Sequence, residues 1–363
     1  MLKLKNEGFD HVEYIVESIA RRGNVYERMG YEKVGERHLT KRGIRSSLYQ
    51  QGRIRILLTE SDGTPAAEKE NCVQFLRHQS EGVCVLAVEV ENATEAFKSA
   101  VARGAKPAME PQMYESPEGR VFRAEVWTPG RVRYAFIERH SPHGSSAPAL
   151  FDEGLRVTRL DSPMPLGMFR IDHLTNNVGI GEMKNWVEWY KTVFGFKVTR
   201  HFSISTGRTG LISDVVESPC RRVKVPINEA TEPASQVQEF VNRMKGPGVQ
   251  HLALQVNDLP GTLTTLRARA FKFLQVPHTY YEAVPTRIKG VTEDLKELER
   301  LGILLDGEGG GYLLQIFSEE ILGPFFFEFI QRKGNEGFGE GNFRALFEAI
   351  ERDQIKRGVL SAR

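Results

Sequence analysis

Cysteine is scarce in this chain: three residues in 363, Cys72, Cys84 and Cys220, widely spaced and odd in number. That pattern argues against a disulfide framework or a cysteine zinc site and suits a reducing cytoplasm. Charge of one sign is lacking too. Lys and Arg number 49 against 47 Asp and Glu, a net charge of +2, too near neutral to imply a nucleic-acid or membrane partner. No apolar run reaches membrane-spanning length, and the first ten residues have no signal-peptide core. With 40% hydrophobic and 26% charged residues the composition is that of an ordinary globular protein. At this length, two domains or one duplicated domain are expected.

What the chain does have is a repeat. Gly8-Phe9-Asp10-His11-Val12 answers to Arg170-Ile171-Asp172-His173-Leu174. Residues 81–93 align without a gap on 247–259, and the register runs on to Pro111 against Pro277. The closing strands 133–139 and 326–332 also correspond. Each half reads as two strand–helix–strand units followed by further strands, an α+β fold with domains at 1–140 and 168–363. The segment 141–167, rich in Pro, Gly and Ser, reads as a linker crossing the surface. Residues 293–301 read as a surface helix. Apolar residues at 343, 346, 347, 350 and 355 follow mostly helical spacing and predict a final amphipathic helix.

Glu328 stands alone in the apolar run 325–330. A carboxylate in a buried strand needs a cation or donors, so either a metal or a buried Arg must answer it. In a strand it shares a face with Phe326 and Ile330. His173 and His251 lie in two other strands of the same half, and the matching positions of the first half hold His11, Val85 and Ala135. The first half keeps the architecture with Val and Ala, so His251 and Glu328 serve chemistry rather than folding. Taken singly, each histidine reads as an ordinary hydrogen-bonded strand residue. Together, against the vacant first half, the three read as metal ligands. Two imidazoles and one carboxylate suit non-haem Fe(II), and zinc accepts the same donors. The other histidines (His38, His78, His140, His143, His201 and His278) read as surface or loop residues.

The second half resembles the 4-hydroxyphenylpyruvate dioxygenase family of the vicinal oxygen chelate superfamily. The phrases that carry the likeness are D-H-L-T-N-N-V (172–178), P-I-N-E (226–229), S-Q-V-Q-E-F (235–240) and G-P-G-V-Q-H-L-A-L (246–254). L-L-Q-I-F (313–317), F-F-E-F-I-Q-R (326–332) and G-F-G-E-G-N-F-R-A-L-F-E-A-I-E (337–351) complete them. The resemblance implies two open β-barrels of βαβββ modules plus a C-terminal helix serving as a lid. It implies Fe(II) only in the second barrel, on His173, His251 and Glu328. It also implies polar contacts to substrate from Ser213, Asn228, Gln236, Gln250 and Gln315, and a ring pocket bordered by Phe317, Phe326, Phe338, Asn342 and Phe343. Where many relatives read N-E-P, this chain has Asn228-Glu229-Ala230.

Physical chemistry agrees with most of these roles. Carboxamides can donate to a phenol oxygen without adding charge beside a metal, and phenylalanines can stack on a ring. Gln250 fits less well, because neighbours in a strand face opposite ways unless a bulge intervenes.

The activity implied is conversion of 4-hydroxyphenylpyruvate, a small 2-oxo acid, and O2 to homogentisate and CO2, a step of tyrosine and phenylalanine catabolism. A cytoplasmic homodimer or homotetramer is implied as well. The competing readings are a 4-hydroxymandelate synthase, a zinc isomerase or lyase of the same superfamily, and a non-catalytic small-ligand binder. Pro226, Asn228 and Phe338 resemble the ring-hydroxylating branch.

Overall fold

The computed structural model describes residues 2–205, 209–308, 310–344, 355 and 357–358. The first sheet comprises β1 (Leu4–Ile15), β2 (Glu32–Leu39), β3 (Ile44–Gln51), β4 (Ile54–Ser61), β5 (Gly82–Val90), β6 (Lys106–Ser116), β7 (Gly119–Trp127) and β8 (Arg133–His140). A short hairpin follows, β9 (Ala149–Asp152) and β10 (Leu155–Val157). The second sheet comprises β11 (Met168–Val178), β12 (Lys197–Ser205), β13 (Gly210–Glu217), β14 (Lys224–Ala230), β15 (Gly248–Val256), β16 (Leu304–Glu308), β17 (Gly311–Phe317) and β18 (Phe326–Lys333).

The two sheets have the same order, β2-β3-β4-β1-β5-β8-β7-β6 and β12-β13-β14-β11-β15-β18-β17-β16. Each is a pair of βαβββ modules joined through an antiparallel central pair, β1 with β5 and β11 with β15. Ser18, Asn92 and Asp258 cap the helices Ile19–Arg28, Ala93–Ala102 and Leu259–Ala268 by accepting from first-turn N–H groups.

The ladders fix the internal alignment. His11 pairs with Ala87 and Ala87 with Ala135; in the second sheet His173 pairs with Ala253 and Ala253 with Glu328. Val85 opposite Arg133 matches His251 opposite Phe326. The correspondence of His11, Val85 and Ala135 with the three candidate ligands is therefore structural.

The run around Glu328 has two faces. Phe325 meets Tyr14 edge-on at 5.2 Å and Phe327 meets Tyr26 edge-on at 6.0 Å, so this face joins the two barrels. The other face, with Phe326, Glu328 and Ile330, turns into the second barrel.

The segment 141–167 is more than a surface crossing. Phe151 of its hairpin is fully buried, with its ring 5.1 Å from His11. Asp152 accepts from Arg37 (3.0 Å) and Arg123 (2.6 Å), and the Arg139 guanidinium donates to the Phe151 carbonyl. A Pro/Gly/Ser-rich flank concealed an apolar and charged plug. The helix Leu295–Leu301 packs Leu298 and Leu301 inward, as a half-buried surface helix should. A helix not foreseen, His278–Arg287, precedes it, obscured by Pro285 within its sequence. The final helix begins at 340–344, and of the expected lid 345–354 and 356 lie outside the described residues. Among the described residues no helix is long and apolar enough to cross a membrane.

Burial alone would raise the carboxyls of Asp10, Glu13 and Glu125; Arg139 outweighs it at Asp10, and Arg123 and Arg133 at the other two, holding all three below the usual range. Such depressed groups stabilise the fold above their unfolded values of about 4, and that contribution is lost as pH falls below them. Acid titration followed by circular dichroism should therefore show the first barrel losing stability below roughly pH 4. Phe151→Ala should cost about 3–5 kcal/mol in urea unfolding, by leaving a cavity over His11, with no change in metal uptake by the second barrel.

Candidate active site

Three strands bring the ligand candidates together around one small residue. Ala253 on β15 is the ladder partner of both His173 on β11 and Glu328 on β18, and His251 lies two residues before it on the same face. All three side chains are buried. Glu328 Oε2 lies 3.2 Å from His173 Nε2 and 3.4 Å from His251 Nε2, and the three donor atoms fall within 4.8 Å of one another.

The outer atoms of the imidazoles set what the inner atoms present. Ile171 pairs with Leu254 and His173 with Ala253, so Asp172 is bulged out of the ladder and reaches His173 Nδ1 at 2.9 Å. Arg332 grips Asp172 through Nε (2.8 Å) and Nη2 (2.6 Å). Burial would raise the Asp172 carboxyl, but Arg332 and His173 hold it well below the usual range. An ionised Asp172 only accepts, so Nδ1 carries a proton and Nε2 is the ring nitrogen turned inward. A second bulge sits at Gln250, because Thr175 pairs with His251 and Asn176 with Val249. It brings the Gln250 carboxamide oxygen 3.1 Å from His251 Nδ1, which leaves Nε2 as the nitrogen turned inward.

His173 Nε2, His251 Nε2 and Glu328 Oε2 therefore converge, and although burial would lower the His173 imidazole, Glu328 and Asp172 raise it above its ordinary value. His251 Nε2 and Glu328 Oε2 have no hydrogen-bond partner although buried. Burial raises the Glu328 carboxyl, and the imidazoles of His173 and His251 outweigh it to hold the group down to about 2. Burial keeps His251 below its ordinary value, which favours the neutral ligand form. This donor set fits a divalent metal ion, with N2O ligation open to iron or zinc.

The predicted contact residues divide into three groups. Phe326 stacks on His251 at 4.9 Å, Phe317 meets the same ring edge-on at 6.2 Å, and Phe338 meets His173 edge-on at 5.1 Å. Gln315 donates from Nε2 to Glu328 Oε1 at 3.2 Å. Away from the ligand rings, Ser213 and Asn228 are cross-strand partners on β13 and β14; Asn228 donates to Asn177 at 3.2 Å, and the buried Ser213 hydroxyl has no partner. Gln236 opens the helix Gln236–Met244 and, with Gln250 and Phe326, lines a cleft of about 560 Å³.

Two expected contacts engage other side chains of the protein. Asn342 is wholly buried and engages Tyr280 and Gln315. Phe343 stacks on Phe202 at 5.1 Å, a partner 141 residues earlier that local pattern could not reveal. Asp172 and Arg332 escaped the sequence reading, although the aligned Asp10 and Arg139 offered a signal; Asn177 and Tyr280 offered none. In the first barrel Arg139 and Asp10 make the same clamp (2.9 and 2.6 Å) on His11, but Val85 and Ala135 supply no further ligand.

Comparison with known proteins places the chain as follows. The family described as "Hydroxyphenylpyruvate dioxygenase, HPPD, N-terminal" matches residues 3–121, and the Glyoxalase/Bleomycin resistance protein/Dioxygenase superfamily matches 170–284. A 4-hydroxyphenylpyruvate dioxygenase of Legionella pneumophila is 37% identical, covering 98% of this chain and 96% of the relative. A Vibrio vulnificus protein named hemolysin VllY is also 37% identical, covering 99% and 98%. A solved mutant of 4-hydroxymandelate synthase from Streptomyces coelicolor matches with a TM-score of 0.82 at 22% identity, covering 98% of this chain and 100% of that one. At that identity it shows the fold alone.

Glu328→Ala should abolish stoichiometric metal retention, measured by elemental analysis after dialysis. Asp172→Asn, which releases the His173 tautomer, should lower metal affinity about 10- to 100-fold in a chelator competition.

Proposed function

The chain belongs to the 4-hydroxyphenylpyruvate dioxygenase family, and from that premise we propose that it converts 4-hydroxyphenylpyruvate and O2 to homogentisate and CO2 with Fe(II) held by His173, His251 and Glu328. The observation that carries the reading is the convergence of His173 Nε2, His251 Nε2 and Glu328 Oε2 within 4.8 Å of one another, buried and flanked by phenylalanines. Fe(II) in a set of two imidazoles and one carboxylate keeps positions for a chelating 2-oxo acid and for O2, and supplies the redox chemistry between them.

The chain's own residues bind, orient and exclude water. Phe317, Phe326 and Phe338 give the substrate ring apolar walls and keep bulk water from the ligands. The unpartnered Ser213 hydroxyl and the Asn228 carboxamide beside it are polar groups that can meet the phenol end. Gln236 and Gln250, on the cleft side of Phe326, guide the acid inward. Decarboxylation of the substrate furnishes two electrons, so no external reductant is consumed per turnover.

A 4-hydroxymandelate synthase would share fold, metal and substrate but hydroxylate the benzylic carbon. Full-length relatives named as 4-hydroxyphenylpyruvate dioxygenases favour the ring reaction. The proposal extends to a homodimer or homotetramer in the cytoplasm; the latter is supported by three free cysteines.

Reconstitution with Fe(II) under anaerobic conditions, followed by 4-hydroxyphenylpyruvate and O2, should yield homogentisate and CO2 in equal amounts by chromatography and gas analysis. Hydroxymandelate would move the chain to the other branch. Iron bound without turnover would leave a binding protein, and Glu328→Ala should then leave ligand affinity unchanged.

A further inference from the structure

Glu328 shows its two oxygens to different partners. Oε2 faces the imidazoles, whereas Oε1 accepts from Gln315 Nε2 at 3.2 Å. An ionised carboxylate cannot donate, so the Gln315 carboxamide has only one usable orientation. Its Oε1 must then face away from Glu328, where Asn342 Nδ2 donates to it at 3.0 Å. That in turn points Asn342 Oδ1 at the Tyr280 hydroxyl, which donates at 2.6 Å. The direction of the first two bonds follows from one charge, and the Tyr280 hydroxyl has two acceptors in reach, Asn342 Oδ1 at 2.6 Å and the Leu305 carbonyl at 2.7 Å. Tyr280 is itself fixed to β16, since its hydroxyl accepts from the Leu305 N–H at 2.7 Å.

We propose that Tyr280 and Asn342 are positioning residues which, through Gln315, hold Glu328 with a single oxygen facing the metal site. The inference rests on the metal reading above, and it assigns work to two side chains outside the metal-ligand set. A carboxylate can bind a metal through one oxygen or through both. With Oε1 retained by Gln315, only Oε2 is offered, and a position is left for a further ligand.

The relay also enlists the start of the final helix. Asn342 sits in the stretch 340–344, Asp306 accepts from the Gly341 N–H at 2.8 Å, and Gly339 has φ +77° with no room for a side chain against the Gln315 carboxamide. That turn must be seated for Gln315 to be held. Each bond in the chain polarises the next, so the loss of the outermost donor is felt at the carboxylate.

The test uses the full chain loaded with Co(II), whose visible absorption reports ligand number and geometry. Tyr280→Phe removes the outer donor with little change in shape, and Asn342→Leu removes the middle link. Both should weaken Co(II) about 10-fold and change the intensity of its visible bands, with far-UV circular dichroism unchanged. Tyr281→Phe is the control, because the buried Tyr281 hydroxyl has no partner to lose. Tyr280→Phe together with Gln315→Met should be no worse than Gln315→Met alone. Wild-type Co(II) affinity and spectrum in Tyr280→Phe and Asn342→Leu, with only a lowered Tm, would overturn the relay while leaving the metal reading intact. Failure of the unsubstituted chain to bind Co(II) would overturn the metal reading and the relay with it.

Discussion

The buried pairing of Arg332 with Asp172 is the constraint on which the second barrel depends. Removing two charges from water costs several kcal/mol each, so such a pair persists only with close geometry and every donor engaged. Arg332 meets that condition by spending Nε and Nη2 on Asp172 and Nη1 on the carbonyls of Asn335 (2.9 Å) and Gly337 (2.6 Å). One guanidinium thereby fixes the imidazole behind the metal site and the loop that lays Phe338 against it. The electrostatics of the ligand set and the shape of its chamber share a single origin.

The first barrel shows what that device does without ligands. Arg139 grips Asp10 and then the Leu150 and Phe151 carbonyls, so the hairpin occupies the place that the loop around Phe338 takes in the second half. Phe151 faces His11 at 5.1 Å, and Phe338 faces His173 at the same distance. The clamp is thus a feature of the fold, and Val85 and Ala135 against His251 and Glu328 are what separate a packed barrel from a reactive one.

The duplication and the convergence of His173, His251 and Glu328 were legible because both rest on strand register. Equivalent ladders carry equivalent residues, so comparing the halves acted as an internal control for His173, His251 and Glu328. The direction of Glu328 was not legible, since phenylalanines flank it on both faces of the strand. Gln250 conflicts with strict alternation, and the bulge that reconciles it leaves no mark in residue type. The plug at Phe151 was hidden by its Pro/Gly/Ser flanks. The link from Tyr280 to Asn342 joins residues 62 apart in the chain, a contact set by packing of a helix containing a proline. The substrate was reached through family likeness, because hydrogen-bonding carboxamides and phenylalanines do not by themselves name a ring.

Ala253 has a consequence beyond its size. The floor between the ligands is alanine in both barrels, with Ala87 bridging His11 and Ala135 as Ala253 bridges His173 and Glu328. The first barrel already owns the oriented imidazole, its carboxylate–guanidinium brace and the open floor. The positions of the two missing donors are instead flanked by the buried network of Glu13, Arg123, Glu125 and Arg133, with Glu13 and Arg133 opposite Val85 and Glu125 opposite Ala135. The same alanine floor thus carries two different interiors, one of paired charges under the connecting hairpin and one of converging donors.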